Sequence, residues 1–114
     1  MRAAGAGIGG FFTPTSAGTL LGANKETREI EGKLHVLETP LKGDVALVKA
    51  DAGDRWGNLT YNKSARNFGP TMAMAAKLTI AEVKTIKELG EISPEHVVTP
   101  GIFVDRVIKL REEQ

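Results

Sequence analysis

Two predicted buried strands, separated by a short helix-forming stretch, constrain the fold of this chain more than any other feature. The first, residues 45–48, is a continuous apolar run bounded by turn-forming residues at 43–44 and at 51–54. This is the pattern of a strand that is buried on both faces of a sheet. A second buried strand is predicted at residues 78–83. Strands that alternate with short helices predict the α/β class, here an open sheet with short helices.

The segment before the second predicted strand contains signals for a hairpin and for a helix. Residues 28–38 alternate apolar and polar side chains, with Gly32-Lys33 where a hairpin turn would lie. Pro70 precedes a stretch of small residues, and proline is tolerated in the first turn of a helix. We therefore predict a two-stranded unit at 28–38 and a helix at 71–77.

The C-terminal part predicts one more helix and one more strand. Residues 83–89 have apolar side chains at helical spacing and end at Gly90, which suits a left-handed helix cap. Residues 102–109 are predicted to form a last strand. The tail from Arg111 is expected to fray.

The N-terminal segment is rich in glycine, and we predict a loop from Gly5 to Gly22. Its first part satisfies Gly-x-Gly-x-x-Gly, the pattern of a dinucleotide-binding turn. That motif needs a preceding strand and a following helix, whereas Pro14 interrupts the predicted helix position. The favoured interpretation is a backbone that lets a ligand or another protein chain approach closely, and a purely structural crossover is the alternative. The glycines also follow Met1 almost at once, which is typical of a chain that begins inside a domain.

Composition excludes several classes of function. The 114 residues suffice for one domain, with 41% hydrophobic and 25% charged residues. The net charge of +1 has no basic cluster, so no nucleic-acid partner is expected. The chain has no cysteine and its two histidines lie far apart, so neither a disulfide nor a metal site is expected. No apolar run reaches the roughly 20 residues that span a bilayer, and we expect a cytoplasmic protein without membrane contact.

Arg66-Asn67 is the main candidate for anion binding outside the glycine segment. The pair lies in a stretch without periodicity, where the guanidinium could contact a phosphate or a carboxylate. A structural ion pair of Arg66 with Asp51 or Asp54 is the alternative. The other carboxylates are dispersed and no serine has a nucleophile motif, so we predict no catalytic residue in this chain.

Several of these segments together resemble the alpha subunit of the 3-oxoacid coenzyme A transferases, the acetate/acetoacetate and succinyl-CoA type. The resemblance begins in the glycine segment, with Gly9-Gly10-Phe11, Thr13-Pro14-Thr15 and Gly18-Thr19, and covers nearly the whole chain. It continues through residues 41–49, Gly57-Asn58-Leu59-Thr60-Tyr61, Ala65-Arg66-Asn67-Phe68, 79–83 and 99–107. Departures at Ser16-Ala17, Ala52-Gly53 and Gly69 leave the acyl specificity open.

The resemblance implies that residues 1–114 correspond to the C-terminal portion of the alpha subunit, without its N-terminal half. In the family, a glutamate of the beta subunit forms a glutamyl-CoA thioester, so coenzyme A is a substrate and no cofactor is implied. An oxyanion-stabilising glutamine is expected in the absent half. The positions expected nearest the acyl or pantetheine group are Gly9, Gly10, Phe11, Thr13 and Thr15, followed by Arg66 and Asn67.

The implied function is part of a heteromeric enzyme that moves CoA from succinyl-CoA or acetyl-CoA to a 3-oxoacid or a short-chain carboxylate. Its partners would be the N-terminal half of the alpha subunit, together with a beta subunit. The isolated chain is expected to be inactive and to self-associate through apolar sheet surface that the absent half would cover. The alternative is a non-catalytic remnant or interaction module of the same fold.

Overall fold

The computed structural model describes residues 1–111, which form two β-sheets and a few short helices. The helices and strands are α1 (Arg2–Gly5), β1 (Phe11–Thr13), β2 (Thr27–Ile30), β3 (Lys33–Glu38), β4 (Gly43–Asp54), β5 (Leu59–Thr60), α2 (Gly69–Ala75), β6 (Ala76–Lys87) and β7 (Arg106–Lys109). Single 3₁₀ turns lie at Leu20–Gly22, Lys63–Arg66, Pro94–His96 and Gly101–Phe103. The first sheet has the order β1-β3-β2 and is antiparallel, and the second has the order β5-β4-β6-β7. The predicted α/β class is confirmed.

The larger sheet is built on the parallel pair β4 and β6. Their register places Ala46 beside Thr79, Val48 beside Ala81 and Ala50 beside Val83. Strand β7 extends the pair in parallel and β5 pairs antiparallel with the end of β4. The chain between β4 and β6 passes through β5 and α2, as a parallel connection requires.

The core lies on one face of this sheet, where α2 packs. It is formed by alternate side chains of β4 and β6 together with residues of β5 and α2. The buried members are Ala46, Val48, Ala50, Leu59, Ala73, Ala81 and Val83. Four of these seven residues are alanines, and Oγ1 of Thr79 donates to the carbonyl of Ala73 at 2.9 Å, so α2 lies close to the sheet.

The prediction that residues 45–48 are buried on both faces is wrong for this structure. Val45 is 53% exposed and Leu47 is 70% exposed. Strand β4 alternates because α2 covers only the face that carries the even-numbered side chains. We call the opposite surface the open face; its exposed apolar side chains on β4 and β7 are Val45, Leu47 and Ile108.

The helix predicted at 83–89 is also wrong, since β6 runs without a break to Lys87. The spacing of Val83 and Ile86 fits a helix, but the long edge of β4 continues beside this segment. In this region Ala52 of β4 pairs with Thr85 of β6, and Gly53 pairs with Ile86. Gly90 does adopt a left-handed conformation, with φ +89°, in a turn instead of a helix cap.

The N-terminal half contains more regular structure than the predicted loop. Between Gly5 and Gly22 the chain forms β1 and the 3₁₀ turn Leu20–Gly22, because β3 offers an edge to which β1 pairs. The hairpin at 28–38 is confirmed as β2 and β3. Its turn lies one residue earlier than predicted, at Glu31 and Gly32, which both have positive φ angles.

The last predicted strand is shorter than expected. Gly101–Phe103 forms a 3₁₀ turn, so β7 begins only at Arg106. The turn is fixed by hydrogen bonds from Phe103 N–H to the carbonyl of Pro100 and from Val104 N–H to that of Gly101.

The helix predicted at 71–77 is confirmed two residues earlier, as α2. The tail predicted to fray includes residues 112–114, which lie outside the described residues.

Candidate functional site

The glycine segment connects α1 to β1 and not a strand to a helix. Helix α1 ends at Gly5, and Gly7 turns the chain with φ +72°. Gly5 is required by packing, because a Cβ there would lie 2.5 Å from Cβ of Met74 in α2. A helix before the glycines and a strand after them is the reverse of a dinucleotide-binding turn. The Gly-x-Gly-x-x-Gly match therefore lacks the strand–turn–helix context that a dinucleotide-binding turn requires.

Gly9 and Gly10 differ in their surroundings. A Cβ on Gly10 would lie 3.2 Å from Cδ1 of Leu37, so this backbone runs tightly against β3. A Cβ on Gly9 would meet nothing within 4 Å, and this residue is exposed. Gly9 thus leaves its backbone accessible to an approaching molecule, and Gly10 fixes the start of β1.

Three of the predicted site residues line one cavity. Phe11, Thr13 and Thr15 border a space of about 390 Å³, together with Met1, Glu38, Thr39 and Leu41. Phe11 and Met1 also border a second cavity of about 330 Å³, whose other lining residues are Arg2, Ala3, Phe68 and Thr71. We call the two cavities together the Phe11 groove. The alternation of β1 explains why Phe11 and Thr13 face the same side.

The polar side chains of the groove are threonines, one paired carboxylate and Arg2. Glu38 forms an ion pair with Lys25, which compensates its charge. The backbone N–H of Thr15 donates to Oγ1 of Thr13 at 3.2 Å. The groove therefore offers an aromatic ring, hydroxyl groups and one guanidinium to a ligand.

Arg66 and Asn67 lie outside the lining of the groove. Arg66 ends the 3₁₀ turn Lys63–Arg66, and Asn67 has φ +42° and ψ −130°. Such a conformation is strained for a residue with a side chain. Asn67 directly precedes Phe68, which does line the groove. The strained residue thus sets the direction in which the chain enters the groove.

The alternative ion pairs of Arg66 are not formed in the structure. Asp51 instead lies 3.6 Å from Nζ of Lys84. Both carboxylate oxygens of Asp54 accept hydrogen bonds from its own turn.

Tyr61 anchors the loop that carries Arg66, a role that no sequence pattern indicates. Its hydroxyl lies 2.7 Å from Oγ1 of the buried Thr99. Burial raises the pKa of Tyr61, and the hydrogen bond to Thr99 and the charge of Arg66 oppose that rise. A Cβ on Gly69 would lie 3.0 Å from the tyrosine ring, so the start of α2 packs directly on it.

Several groove residues also have no signal in the sequence. Phe68 and Thr71 come from the start of α2, whereas Glu38, Thr39 and Leu41 lie at or after the end of β3. No local pattern marks them, because the groove exists only where β1, the end of β3 and α2 meet. Within residues 1–111, no group of three or more His, Cys, Asp or Glu side chains could hold a metal ion. In the same range no helix is long and apolar enough to cross a membrane.

Solved structures of similar fold are CoA transferases and a related decarboxylase. The chain superimposes on the thioester complex of the E. coli O157:H7 acyl-CoA transferase YdiF with TM-score 0.80 and 19% identity, covering 99% of this chain and 26% of that one. Glutaconate coenzyme A-transferase from Acidaminococcus fermentans gives TM-score 0.78 and 22% identity, covering 96% and 41%. A variant of the decarboxylase AibA/AibB gives TM-score 0.74 and 29% identity, covering 96% and 41%. The fold is thus that of the CoA-transferase class.

The chain belongs to the coenzyme A transferase family, whose model matches residues 1–110. It is 67% identical over 108 residues to the A subunit of 3-oxoadipate CoA-transferase from Pseudomonas putida, covering 95% of this chain and 47% of that protein. The corresponding protein of Acinetobacter baylyi is 59% identical, with 97% and 49% covered. The alpha subunit of the acetate CoA-transferase of E. coli K12 is 46% identical, with 100% and 52% covered. The resemblance inferred from the sequence is confirmed, and the chain spans about half the length of these relatives.

Proposed function

We propose that the chain forms part of the alpha subunit of a heteromeric CoA-transferase. The observation that carries this proposal is the similarity along nearly the whole chain to proteins named as the A or alpha subunits of such enzymes. The enzyme would move CoA between succinyl-CoA or acetyl-CoA and a 3-oxoacid or a short-chain carboxylate. It would act in the cytoplasm, in keeping with a chain that has no cysteine.

The Phe11 groove would hold the acyl or pantetheine part of the substrate. Phe11 supplies an apolar wall, and Thr13 supplies a hydroxyl for a polar group of the chain. The accessible backbone at Gly9 lies beside this wall, and Asn67 directs Phe68 towards it. Binding energy from these remote contacts would orient the thioester for reaction.

The covalent step would take place on a glutamate of a beta subunit. In that step the carboxylate attacks the acyl-CoA, which forms an enzyme-bound anhydride and releases CoA as the thiolate. The thiolate then attacks the glutamyl carbonyl, so the donor acid leaves and CoA is held as a glutamyl thioester, and the reverse sequence with the acceptor acid passes CoA to it. The carboxylate in the described groove, Glu38, is already paired with Lys25. This chain would therefore contribute to binding and orientation, and it would have no transferase activity alone.

The acceptor we would test first is 3-oxoadipate, because the relatives at 67% and 59% identity are both named for it. This acid has a second carboxylate. Arg2 is the cation that lines the Phe11 groove and could bind that group. Acetoacetate, which has no second carboxylate, is the matched comparison.

The decisive experiment reconstitutes the enzyme from three parts: this chain, a beta subunit, and the N-terminal half of the alpha subunit. CoA transfer from succinyl-CoA or acetyl-CoA to 3-oxoadipate and to acetoacetate is then measured. We expect activity only in the complete mixture. Equal activity in a mixture that lacks this chain would refute the proposal, and a robust rate from the chain alone would refute the placement of the nucleophile.

Two other functions are outcomes of the same reconstitution. A complex that assembles but transfers no CoA would identify a non-catalytic interaction module. The 29% identity to the decarboxylase AibA/AibB shows that this fold also occurs with different chemistry. Release of CO₂ without transfer of CoA would therefore identify a decarboxylase.

A further inference from the structure

The turn that follows β4 is held by three hydrogen bonds to the carboxylate of Asp54. The backbone N–H groups of Trp56 and Asn58 each donate to Oδ1 of Asp54 at 3.0 Å. Nδ2 of Asn58 donates to Oδ2 of Asp54 at 2.9 Å. Asp54 is only 4% exposed, so these bonds form in a protected environment. The backbone that carries Trp56 is therefore fixed.

A second segment, which contains Gly101, packs against this turn and forms a hydrogen bond with it. The backbone N–H of Gly101 donates to Oδ1 of Asn58 at 2.9 Å. A Cβ on Gly101 would lie 2.0 Å from the carbonyl oxygen of Trp56, so the two backbones are in direct contact. Gly57 has φ +86°, and a Cβ there would lie 3.0 Å from Cβ of Val104. Neither segment can move without the other.

The side chain of Trp56 is nevertheless 67% exposed. Burying an indole ring is strongly favourable, and its loss of water contact is a large source of binding energy. A rigid backbone that presents an exposed tryptophan is typical of a binding site, where aromatic anchors are held in place before the ligand arrives.

Trp56 borders a cavity of about 300 Å³, which we call the Trp56 cavity. Its lining residues are Asp54, Arg55, Trp56, Gly57, Ile86, Val104, Asp105, Arg106 and Val107. Asp54 is the last residue of β4 and Ile86 lies near the end of β6. The cavity thus lies at the carboxyl ends of two parallel strands, where α/β sheets bind ligands. It shares no lining residue with the Phe11 groove.

The two arginines of the Trp56 cavity are available to an anion, whereas its two carboxylates already accept hydrogen bonds. Asp54 accepts them within its own turn, and Oδ2 of Asp105 accepts one from the N–H of Thr79 at 2.7 Å. In residues 1–111, neither Arg55 nor Arg106 takes part in an ion pair. Lys87 is the pairing partner of Asp54 across the sheet and adds a third cation nearby.

We propose that the Trp56 cavity binds a ligand that joins a planar ring to an anionic group, the chemistry of a nucleoside phosphate. The ring stacks on the exposed face of Trp56, and the phosphate oxygens accept hydrogen bonds from the guanidinium groups of Arg55 and Arg106. The ligand can be a free nucleotide or the nucleotide end of coenzyme A. Only the second source rests on the proposed function.

The test uses the intrinsic fluorescence of the purified chain, because Trp56 is its only tryptophan. The chain is titrated with ADP, with adenosine, with inorganic pyrophosphate and with coenzyme A. We expect ADP to change the fluorescence saturably, and to bind about tenfold or more tightly than adenosine or pyrophosphate, since each of these lacks one of the two contacts. High salt should weaken the binding of ADP, because the arginines are exposed.

Variants separate the ring contact from the charge contact. Arg55→Ala and Arg106→Ala should each weaken ADP about tenfold, the loss expected for a charge-assisted hydrogen bond. Arg28→Ala is the matched control, since Arg28 stacks 4.5 Å from the Phe12 ring in the other sheet and should leave ADP binding unchanged. Trp56→Phe should keep part of the affinity and Trp56→Ala should lose it, both followed by calorimetry. Circular dichroism confirms that each variant is folded.

Each outcome decides the proposal. Competition between coenzyme A and ADP supports it with the substrate as the source, and binding of ADP without binding of coenzyme A supports it with a free nucleotide as the source. Absence of a saturable response to ADP would overturn it. So would pyrophosphate binding as tightly as ADP, or arginine variants that bind ADP like the native chain. None of these readouts requires CoA transfer, so failure of the proposed function is recognised separately.

Discussion

Burial raises the pKa of the Tyr61 phenol above its ordinary value of 10.0. Tyr61 is the only tyrosine, so the ultraviolet absorbance of its phenolate follows this one group. We expect a titration midpoint above that of free tyrosine. Arg66→Ala should move the midpoint higher still, because the positive charge of Arg66 lowers the pKa. Arg28→Ala in the other sheet is the control, and a midpoint equal to that of free tyrosine would contradict the burial of the ring.

The same shift predicts how stability depends on pH. The unfolded chain loses the phenol proton near pH 10 and the folded chain loses it at a higher pH. Stability from Tyr61 is therefore complete below pH 10, and it is lost as the pH rises through the folded pKa. Tyr61→Phe should lower the free energy of unfolding by about 1 kcal/mol at neutral pH, through loss of the hydrogen bond to Thr99. In urea titrations the difference between native chain and variant should shrink at alkaline pH, and a constant difference would refute the linkage.

Phe11 and Ile8 allow a matched test of the groove. Phe11 is 44% exposed and lines the groove, whereas Ile8 is 48% exposed and does not. In the reconstituted enzyme, Phe11→Ala should raise KM for the acyl-CoA about tenfold or more, as expected from losing about 1.5–3 kcal/mol of apolar burial. Ile8→Ala should leave KM unchanged. Equal effects of the two substitutions would remove the groove from the substrate path.

At the scale of elements, two loops depend on glycines that no side chain can replace. Gly101→Ala places a Cβ against the carbonyl oxygen of Trp56, so we expect a loss of about 1–3 kcal/mol in the free energy of unfolding. Gly9→Ala is the control, because no atom lies within 4 Å of its Cβ position. Thermal and urea unfolding measure both variants. A Gly101→Ala protein as stable as the native chain would show that the two loops are not in rigid contact.

The elements that can be predicted from the sequence are those whose signals are local. The hairpin β2–β3 is predictable because its alternation and its glycine turn lie within one short segment. Strand β1 has no such signal, because it pairs only where β3 offers an edge. The end of β6 has helical spacing yet forms a strand, because β4, far away in sequence, decides its conformation.

The residues of the candidate site also divide into those with a local sequence signal and those without one. Phe11, Thr13 and Thr15 share a cavity because they belong to one segment and its alternation. The contribution of Phe68 and the anchoring by Tyr61 could not be predicted, because they depend on contacts between distant segments. Arg66 and Asn67 remain predictions as substrate contacts, since they lie beside the groove and not in its lining.

At the scale of the whole molecule, the open face of the larger sheet leaves apolar side chains exposed. Its exposed apolar side chains predict that the isolated chain self-associates. Leu47→Lys should weaken this association about tenfold or more, since burial of a leucine contributes about 1.5–3 kcal/mol. Leu20→Lys is the control, at a 95% exposed position outside the open face. Sedimentation measures both variants, and a native chain that remains monomeric at high concentration would contradict the prediction.

Because β4 pairs in parallel with β6, the pairing of β4 is delayed during synthesis of the chain. Gly43 pairs with Ala76, so β4 leaves the ribosome well before its partner strand exists. At about 5–20 residues per second the delay is roughly two to seven seconds. The hairpin β2–β3 closes within microseconds and needs no such wait. During those seconds an unpaired strand rich in valine, leucine and alanine is exposed, and this interval is when the nascent chain is most in need of a chaperone.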